Sequence, residues 1–199
     1  MATDIQDTST GSTETKQCPI CLAEITGDEV VLDKCKHRFC KSCIARALKS
    51  NYRCPVCRKE CGEPRGNQPN GTMKSETASY FHLPGYPDDN VITIRYNIPS
   101  GMQTADHPNP GSHFTGITRT AFLPDNQEGK EVLRLLEIAF EARLVFTVGR
   151  SVTSGQENIV TWNDIHHKTN MSGGPTRYGY PDPDYLKRVK EDLAAKGIV

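Results

Sequence analysis

Residues 18–57 read CPICLAEITGDEVVLDKCKHRFCKSCIARALKSNYRCPVC, and the cysteine spacing in this stretch decides how the chain folds at that end. Two Cys-x2-Cys pairs, Cys18/Cys21 and Cys54/Cys57, flank a central Cys35-x-His37-x2-Cys40-x2-Cys43. A Cys-x2-Cys knuckle offers two thiolates to one metal, and zinc takes four such ligands in a tetrahedron. Seven cysteines and one histidine therefore make two zinc sites. A ring nitrogen set between two ligand cysteines belongs to the same set. Cys61 is left over as a plain free thiol. A treble-clef module also holds zinc on such knuckles, so the spacing alone leaves more than one two-zinc fold open.

Outward from this stretch the composition changes. The chain has 199 residues and eight cysteines, all between Cys18 and Cys61. A secreted disulfide framework would staple the whole chain, so this clustering points to metal ligation in a reducing compartment. Cytoplasm and nucleus are the expected locations. The 24 basic and 24 acidic residues cancel, so no global field draws the chain to nucleic acid or a membrane. The balance hides a segregation: residues 16–65 are net +5 and residues 66–199 net −2. No apolar run approaches the ~18–20 residues of a membrane span, and no membrane partner is expected.

Four pieces follow. Residues 1–16 are Ser/Thr-rich and read as a disordered N-terminal segment, a remnant of something longer. Residues 17–61 form the cysteine-rich unit. Residues 62–73, GEPRGNQPNGTM, read as a linker or turn-rich lead-in. Residues 74–199 read as one α+β domain. There, Val91–Ile98 alternates like a half-buried strand, and 101–116 is a polar loop. Asp125–Leu144 reads as a helix with a capping box from Asp125 to Glu128 and an apolar face of Val132, Leu135, Leu136, Ala139 and Phe140. Leu144–Gly149 and Asn158–Trp162 are expected strands joined by a turn. Asp182-Pro183 opens a last helix with Leu186, Val189 and Leu193 on one stripe, closed by Gly197.

Between Trp162 and Tyr180 lie a tryptophan, two adjacent histidines, paired glycines and two tyrosines. Aromatic faces stack on nucleobases, and imidazole, phenol and backbone amides bind phosphate or ribose oxygens. Against this, a tryptophan at a strand end is often core, and one of His166 and His167 is expected to be structural.

The ligand order of three cysteines, one histidine and four cysteines resembles the RING finger. That family interleaves its sites, which implies Cys18, Cys21, Cys40 and Cys43 on one zinc and Cys35, His37, Cys54 and Cys57 on the other. Cross-bracing of this kind holds a unit too small for its own apolar core. The resemblance implies docking of a ubiquitin-charged conjugating enzyme on Ile20 and Pro55, with Arg58 clamping ubiquitin against that enzyme.

Further strings, HPNPG (107–111), RTAFLPDN (119–126), GKEVLRLL (129–136), FTVG (146–149), WNDIHHKT (162–169) and YGYPDPDYL (178–186), resemble the Deltex C-terminal domain. The expected fold is thus a small zinc-stabilised RING finger followed by an α+β Deltex C-terminal domain, similar to the Deltex 3-like branch of ubiquitin ligases. This likeness implies a site for ADP-ribose or NAD built from Gly149, Arg150, Ser151, Trp162, His166, His167, Tyr178, Gly179 and Tyr180. It also implies transfer of ubiquitin to a ribose hydroxyl as well as to lysines. The family's catalytic pair is a histidine before Gly-Tyr-Pro-Asp and a glutamate in the final helix. Here Tyr178 and Asp192 hold those positions, so Tyr178 is expected to position the ribose and Asp192 to accept its proton, with His166 on phosphate or, as the remaining candidate, the base.

Expected partners are the charged conjugating enzyme, ubiquitin, ADP-ribosylated proteins, an ADP-ribosyltransferase and a second RING. Notch signalling and the DNA damage response are the implied settings. A nucleic acid 3′ end also presents an adenosine-like ribose, but the net −2 of residues 66–199 opposes it. Two other readings stand beside the enzyme: a C-terminal domain that only reads ADP-ribose to recruit substrates, and a RING scaffold.

Overall fold

The computed structural model describes residues 17–50, 52–150 and 155–199; the expected N-terminal segment 1–16 lies outside them. The chain divides into two compact units, the first ending at Gly62 and the second running from Glu63 to Val199. No described helix is long and apolar enough to cross a membrane.

In the first unit, β1 (Glu29–Val31) pairs antiparallel with β2 (Arg38–Cys40), and α1 (Lys41–Ser50) follows directly. Its buried apolar side chains are few: Leu32, Phe39 and Ile44, packed with Cys18, Cys43 and Cys54. So small a core does not hold a domain by hydrophobic burial alone. Leu22 and Arg58, each next after a Cys-x2-Cys pair, share a left-handed backbone, with φ of 59° and 60°. Each returns its N–H to the first cysteine of the pair, Leu22 to Cys18 at 2.9 Å and Arg58 to Cys54 at 2.8 Å. The two knuckles are thus the same turn used twice.

In the second unit, β3 (Thr72–Ala78), β4 (Val91–Ile98) and β7 (Ile117–Pro124) form an antiparallel sheet in the order β3-β4-β7. Two short hairpins join it: β5 (Gly101–Met102) with β6 (His113–Phe114), and β8 (Phe146–Gly149) with β9 (Ile159–Trp162). Helix α2 (Gln127–Glu141) packs on β7 and on α3 (Tyr185–Ala195). The alternation read in residues 91–98 is real: Val91, Ile92, Ile94, Tyr96 and Ile98 are buried, and Arg95 and Asn97 are exposed. The core continues through Val132, Leu135, Leu136 and Ala139 of α2 and Leu186, Val189 and Leu193 of α3.

Several expectations need correction. The stretch 62–73 is not a linker as a whole. Gln68 is buried, its amide oxygen accepts from the Phe146 N–H at 3.0 Å, and its carbonyl accepts from Arg143 Nε at 2.6 Å. Helix α2 is shorter than Asp125–Leu144. Asp125 is held by the Asn90 carbonyl, and Asn126 is the cap, its Oδ1 accepting from the Gly129 N–H at 2.9 Å. Gly129 itself is required, because a Cβ there would lie 1.8 Å from the Pro124 carbonyl oxygen. At the other end Arg143 turns left-handed and stops the helix. The polar loop 101–116 carries β5 and β6, and α3 starts at Tyr185, not at Asp182.

Asn126→Ala removes the α2 cap. A loss of about 1 kcal/mol is expected, seen in thermal unfolding of the second unit as a midpoint lower by a few degrees. An unchanged midpoint would show that the side chain does not carry the cap.

Candidate zinc centres and the His166–Asp192 site

The ligand atoms of Cys18, Cys21, Cys40 and Cys43 all lie within 4.8 Å of one another, and so do those of Cys35, His37, Cys54 and Cys57. Cys21 and Cys40 bring their sulfurs to 4.0 Å, and Cys54 Sγ lies 3.6 Å from His37 Nδ1. A tetrahedron with Zn–S of about 2.3 Å has sulfurs about 3.8 Å apart, so both clusters fit zinc. Their charges fit as well. Burial and the neighbouring Cys18 and Cys21 sulfurs push the Cys40 thiol up to about 12. Burial opposes ionisation of Cys18 too, but backbone N–H groups of Cys21, Cys40 and Ile20 outweigh it and bring that thiol down to about 6. A cation bound among these sulfurs would favour their thiolate forms. Cys61 is in neither group and donates to the Lys59 carbonyl at 3.0 Å.

Ile20 is half-buried against the small core, while Pro55 and Arg58 are exposed. The left-handed turn after Cys57 presents the Arg58 side chain. Leu22 and Val56 add exposed apolar surface on the same two knuckles.

In the second unit, the two adjacent histidines have opposite fates. His167 is buried and neutral. Its Nδ1–H donates to the Ile165 carbonyl at 2.9 Å, so its Nε2 accepts from the Tyr96 hydroxyl at 3.0 Å. Burial drives its pKa down to about 4. Trp162 stacks on this ring with centroids 4.0 Å apart and on Phe146 at 4.5 Å. Trp162 and His167 thus form a structural stack, and His167 is the structural member of the pair.

His166 is exposed and held from α3. Asp192 Oδ2 accepts from the His166 backbone N–H at 3.0 Å and pairs with His166 Nδ1 at 2.7 Å. The Tyr185 hydroxyl, two helical turns earlier, donates to the His166 carbonyl at 3.2 Å. With Nδ1–H directed at a carboxylate, Nε2 keeps its lone pair for a substrate proton. Of the two Asp192 carboxylate oxygens, Oδ2 is committed to His166.

Tyr178 is two-thirds exposed, and its hydroxyl has no hydrogen-bond partner among the described residues. Its backbone is left-handed, with φ of 55°, and its carbonyl accepts from the Asn170 N–H at 3.1 Å. No hydrogen bond links it to Asp192, so the two expected catalytic residues are not a bonded pair. Gly179 is needed where it stands, since a Cβ would lie 1.9 Å from the Ser172 carbonyl oxygen. Tyr180 departs from the expected ligand set. It is fully buried, and its hydroxyl donates to the Phe122 carbonyl at 2.9 Å. Gly149 ends β8, Arg150 pairs with Glu157 at 3.6 Å, and Ser151 lies outside the described residues.

A buried ion cluster escaped the sequence reading. Asp182 accepts from Lys168 and from Arg188, each at 2.5 Å. Burial opposes the charge on Asp182, but the hydrogen bonds from Arg188 and Lys168 outweigh it and hold its carboxyl below the usual range. The Lys168 ammonium also faces the Tyr180 and Tyr185 rings, at 5.9 and 5.3 Å. A lysine beside two histidines gives no sign of burial, so nothing in the sequence marked it.

Two family models match: one described as the Deltex C-terminal domain over residues 65–198, and one described as the Ring finger domain over residues 16–58. The chain is 52% identical over 182 residues to the probable E3 ubiquitin-protein ligase DTX3 of Homo sapiens, a match covering 91% of this chain and 52% of that protein. It is 44% identical over 184 residues to the E3 ubiquitin-protein ligase DTX1 of Xenopus laevis, covering 89% of this chain and 29% of that protein. Against the E3 ubiquitin-protein ligase DTX4 of Mus musculus it is 40% identical over 204 residues, covering 92% and 33%. The chain thus spans about half the length of the DTX3 relative and about a third of the others.

Chelation should separate the two units. Removal of zinc should unfold residues 17–62 and leave the cysteine-free second unit intact, and elemental analysis should find two zinc ions per chain. One ion, or a single cooperative loss of both units' circular dichroism, would contradict the two-site reading.

The buried His167 sets an acid limit. Its folded pKa of about 4 lies below the unfolded value of about 6.5. Between the two, the unfolded chain binds the extra proton. Stability is therefore full above pH ~6.5 and falls as the pH drops towards ~4, by up to about 3 kcal/mol. Denaturant melts followed by Trp162 fluorescence at several pH values should show this slope, and His167→Phe should flatten it.

Proposed function

The chain belongs to the Deltex family, with a Ring finger ahead of its Deltex C-terminal domain, and from that premise we propose that it is a RING-type ubiquitin ligase with a second, hydroxyl-directed activity. The first unit recruits a ubiquitin-charged conjugating enzyme through Ile20, Pro55 and the exposed apolar residues of the two knuckles. Bound zinc supplies the cross-links that keep those knuckles folded. Arg58 is exposed and carries a planar guanidinium able to bridge carbonyls of ubiquitin and the enzyme. Lysines of substrates, and of the chain itself, accept ubiquitin from this complex.

The second unit binds ADP-ribose or NAD, free or on a modified protein. The observation that carries this half is the His166–Asp192 pair at 2.7 Å. The Asp192 carboxylate fixes the tautomer of His166 and leaves Nε2 as the base. A ribose hydroxyl gives its proton to Nε2 while its oxygen attacks the thioester carbonyl of ubiquitin. The C–S bond breaks, the enzyme thiolate leaves, and an ester forms. The thiolate then takes up the proton from the imidazolium, which Asp192 has stabilised meanwhile. General base catalysis of this kind contributes roughly 10²–10⁴ in rate. The exposed Tyr178 ring lies in the same segment and serves as a platform for the nucleotide. Trp162 and Tyr180 support the site from the core.

A discharge assay with ADP-ribose and with free lysine as acceptors tests both halves, with hydroxylamine distinguishing ester from amide. Arg58→Ala should slow both products. His166→Asn and Asp192→Asn should each lower the ester at least about a hundredfold and leave the lysine product and ADP-ribose binding largely intact. Binding without any ester would make the second unit a reader that recruits substrates. Equal loss of ester and amide in Asp192→Asn would show that the pair is structural.

A further inference from the structure

Strand β3 is the edge of its sheet: it pairs with β4 on one side and with no strand on the other among the described residues. It is seven residues long, TMKSETA, and largely exposed. A free edge of this length is a template for another strand, and proteins usually blunt it with charge, lysine above all. Here the charges do something more selective.

The register sets Lys74 opposite Arg95 of β4, a like-charged pair, which is unfavourable. Glu76 reaches diagonally to Arg95 at 3.0 Å, and Lys74 has no ion-pair partner among the described residues. The edge strand therefore carries an exposed, uncompensated cation, Lys74, two positions from a carboxylate on the same face.

We propose that β3 is a self-complementary edge through which two copies of this chain pair. A two-fold axis normal to the sheet keeps the solvent faces of both copies on one side. That symmetry allows only registers in which residues of the same face meet. Centred on Lys74 or on Glu76, the pairing sets like charges together. Centred on Ser75, it sets Lys74 opposite the partner's Glu76 and Glu76 opposite the partner's Lys74. The remaining pairs are Thr72 with Ala78, Met73 with Thr77 and Ser75 with itself, and none of them crowds the edge. The i, i+2 spacing of lysine and glutamate thus disfavours the adjacent registers and favours the one centred on Ser75, which also pairs the whole strand. The result is an isologous contact and a continuous six-stranded sheet. The contact is small and the charges are solvated, so it is a weak association, with a dissociation constant on the order of 100 μM, loosened by salt.

Sedimentation equilibrium of the zinc-loaded full chain, over a range reaching well above that concentration, tests this. The parent should dimerise. Lys74→Glu and Glu76→Lys are each self-repulsive and should weaken the dimer at least about tenfold, with circular dichroism unchanged because both positions are exposed. An equimolar mixture of these two variants should form a heterodimer, since each then meets its opposite charge. The chain carrying both Lys74→Glu and Glu76→Lys should dimerise like the parent. A parent that stays monomeric overturns the proposal. So does a dimer that neither single variant weakens, which would lie on another surface. Single variants that weaken the dimer without rescue in the mixture would overturn the register.

Discussion

One buried carboxylate organises the second unit around its site. Asp182 lies under the surface with Lys168 and Arg188 both on Oδ2. Lys168 belongs to the segment after His167, and Arg188 belongs to α3, so the carboxylate ties that segment to the helix. Taking one partner away from a buried pair strands the other charge, at a cost of about 3–5 kcal/mol. The Lys168 backbone is anchored as well, its carbonyl accepting from the Phe122 N–H of β7 at 2.9 Å. With β7 on one side and α3 on the other, the residues just before Lys168 have little freedom. His166 is one of them, and α3 then grips its carbonyl with Tyr185 and its N–H and ring with Asp192. The exposed imidazole therefore stands on a buried ionic foundation, which is how a reactive group is held in place without being buried itself.

The first unit solves the opposite problem, a shortage of buried material. Among the described residues three apolar side chains and three cysteines make up its buried core, and no described helix or sheet in it is long enough to stand alone. Ligation replaces burial as the source of stability, and the knuckles that provide it also carry the surface proposed above to meet partners. Leu22 and Arg58 occupy equivalent left-handed positions on the two turns. The metal-binding geometry thereby sets the direction of Arg58, the side chain expected to clamp ubiquitin, and gives Leu22 the equivalent place on the other knuckle.

What could be read from the sequence follows from how local each signal is. Ligand spacing is local and chemically strict, so both metal clusters and their interleaving, implied by resemblance to RING fingers, match the structure. The strand at Val91–Ile98 and the apolar faces of α2 and α3 were legible because period-2 and period-3.6 patterns survive in a single segment. Strand β3 was not, because an edge strand exposed on both faces has no apolar alternation to see. Gln68 looked like a residue of a Pro/Gly-rich linker, and only the distant Phe146 and Arg143 make it core. The same applies to the site. His166 and His167 are adjacent and chemically identical in the sequence, and Tyr96, 71 residues from His167, decides which one is buried.

The two departures from the family's catalytic pattern make sense together once Asp192 is seen against His166. An aspartate is one methylene shorter than a glutamate, and here its Oδ2 accepts from both the His166 ring and the His166 N–H, at 2.7 and 3.0 Å. Reaching further into a substrate site would break that contact. The Tyr178 side chain is exposed, and no described residue orients its hydroxyl. In the proposed mechanism proton transfer is assigned to His166, which is exposed and oriented by the Asp192 carboxylate. Under that proposal the His166–Asp192 pair supplies the base that the family resemblance sets at the position of Tyr178, from a segment held by β7 and α3.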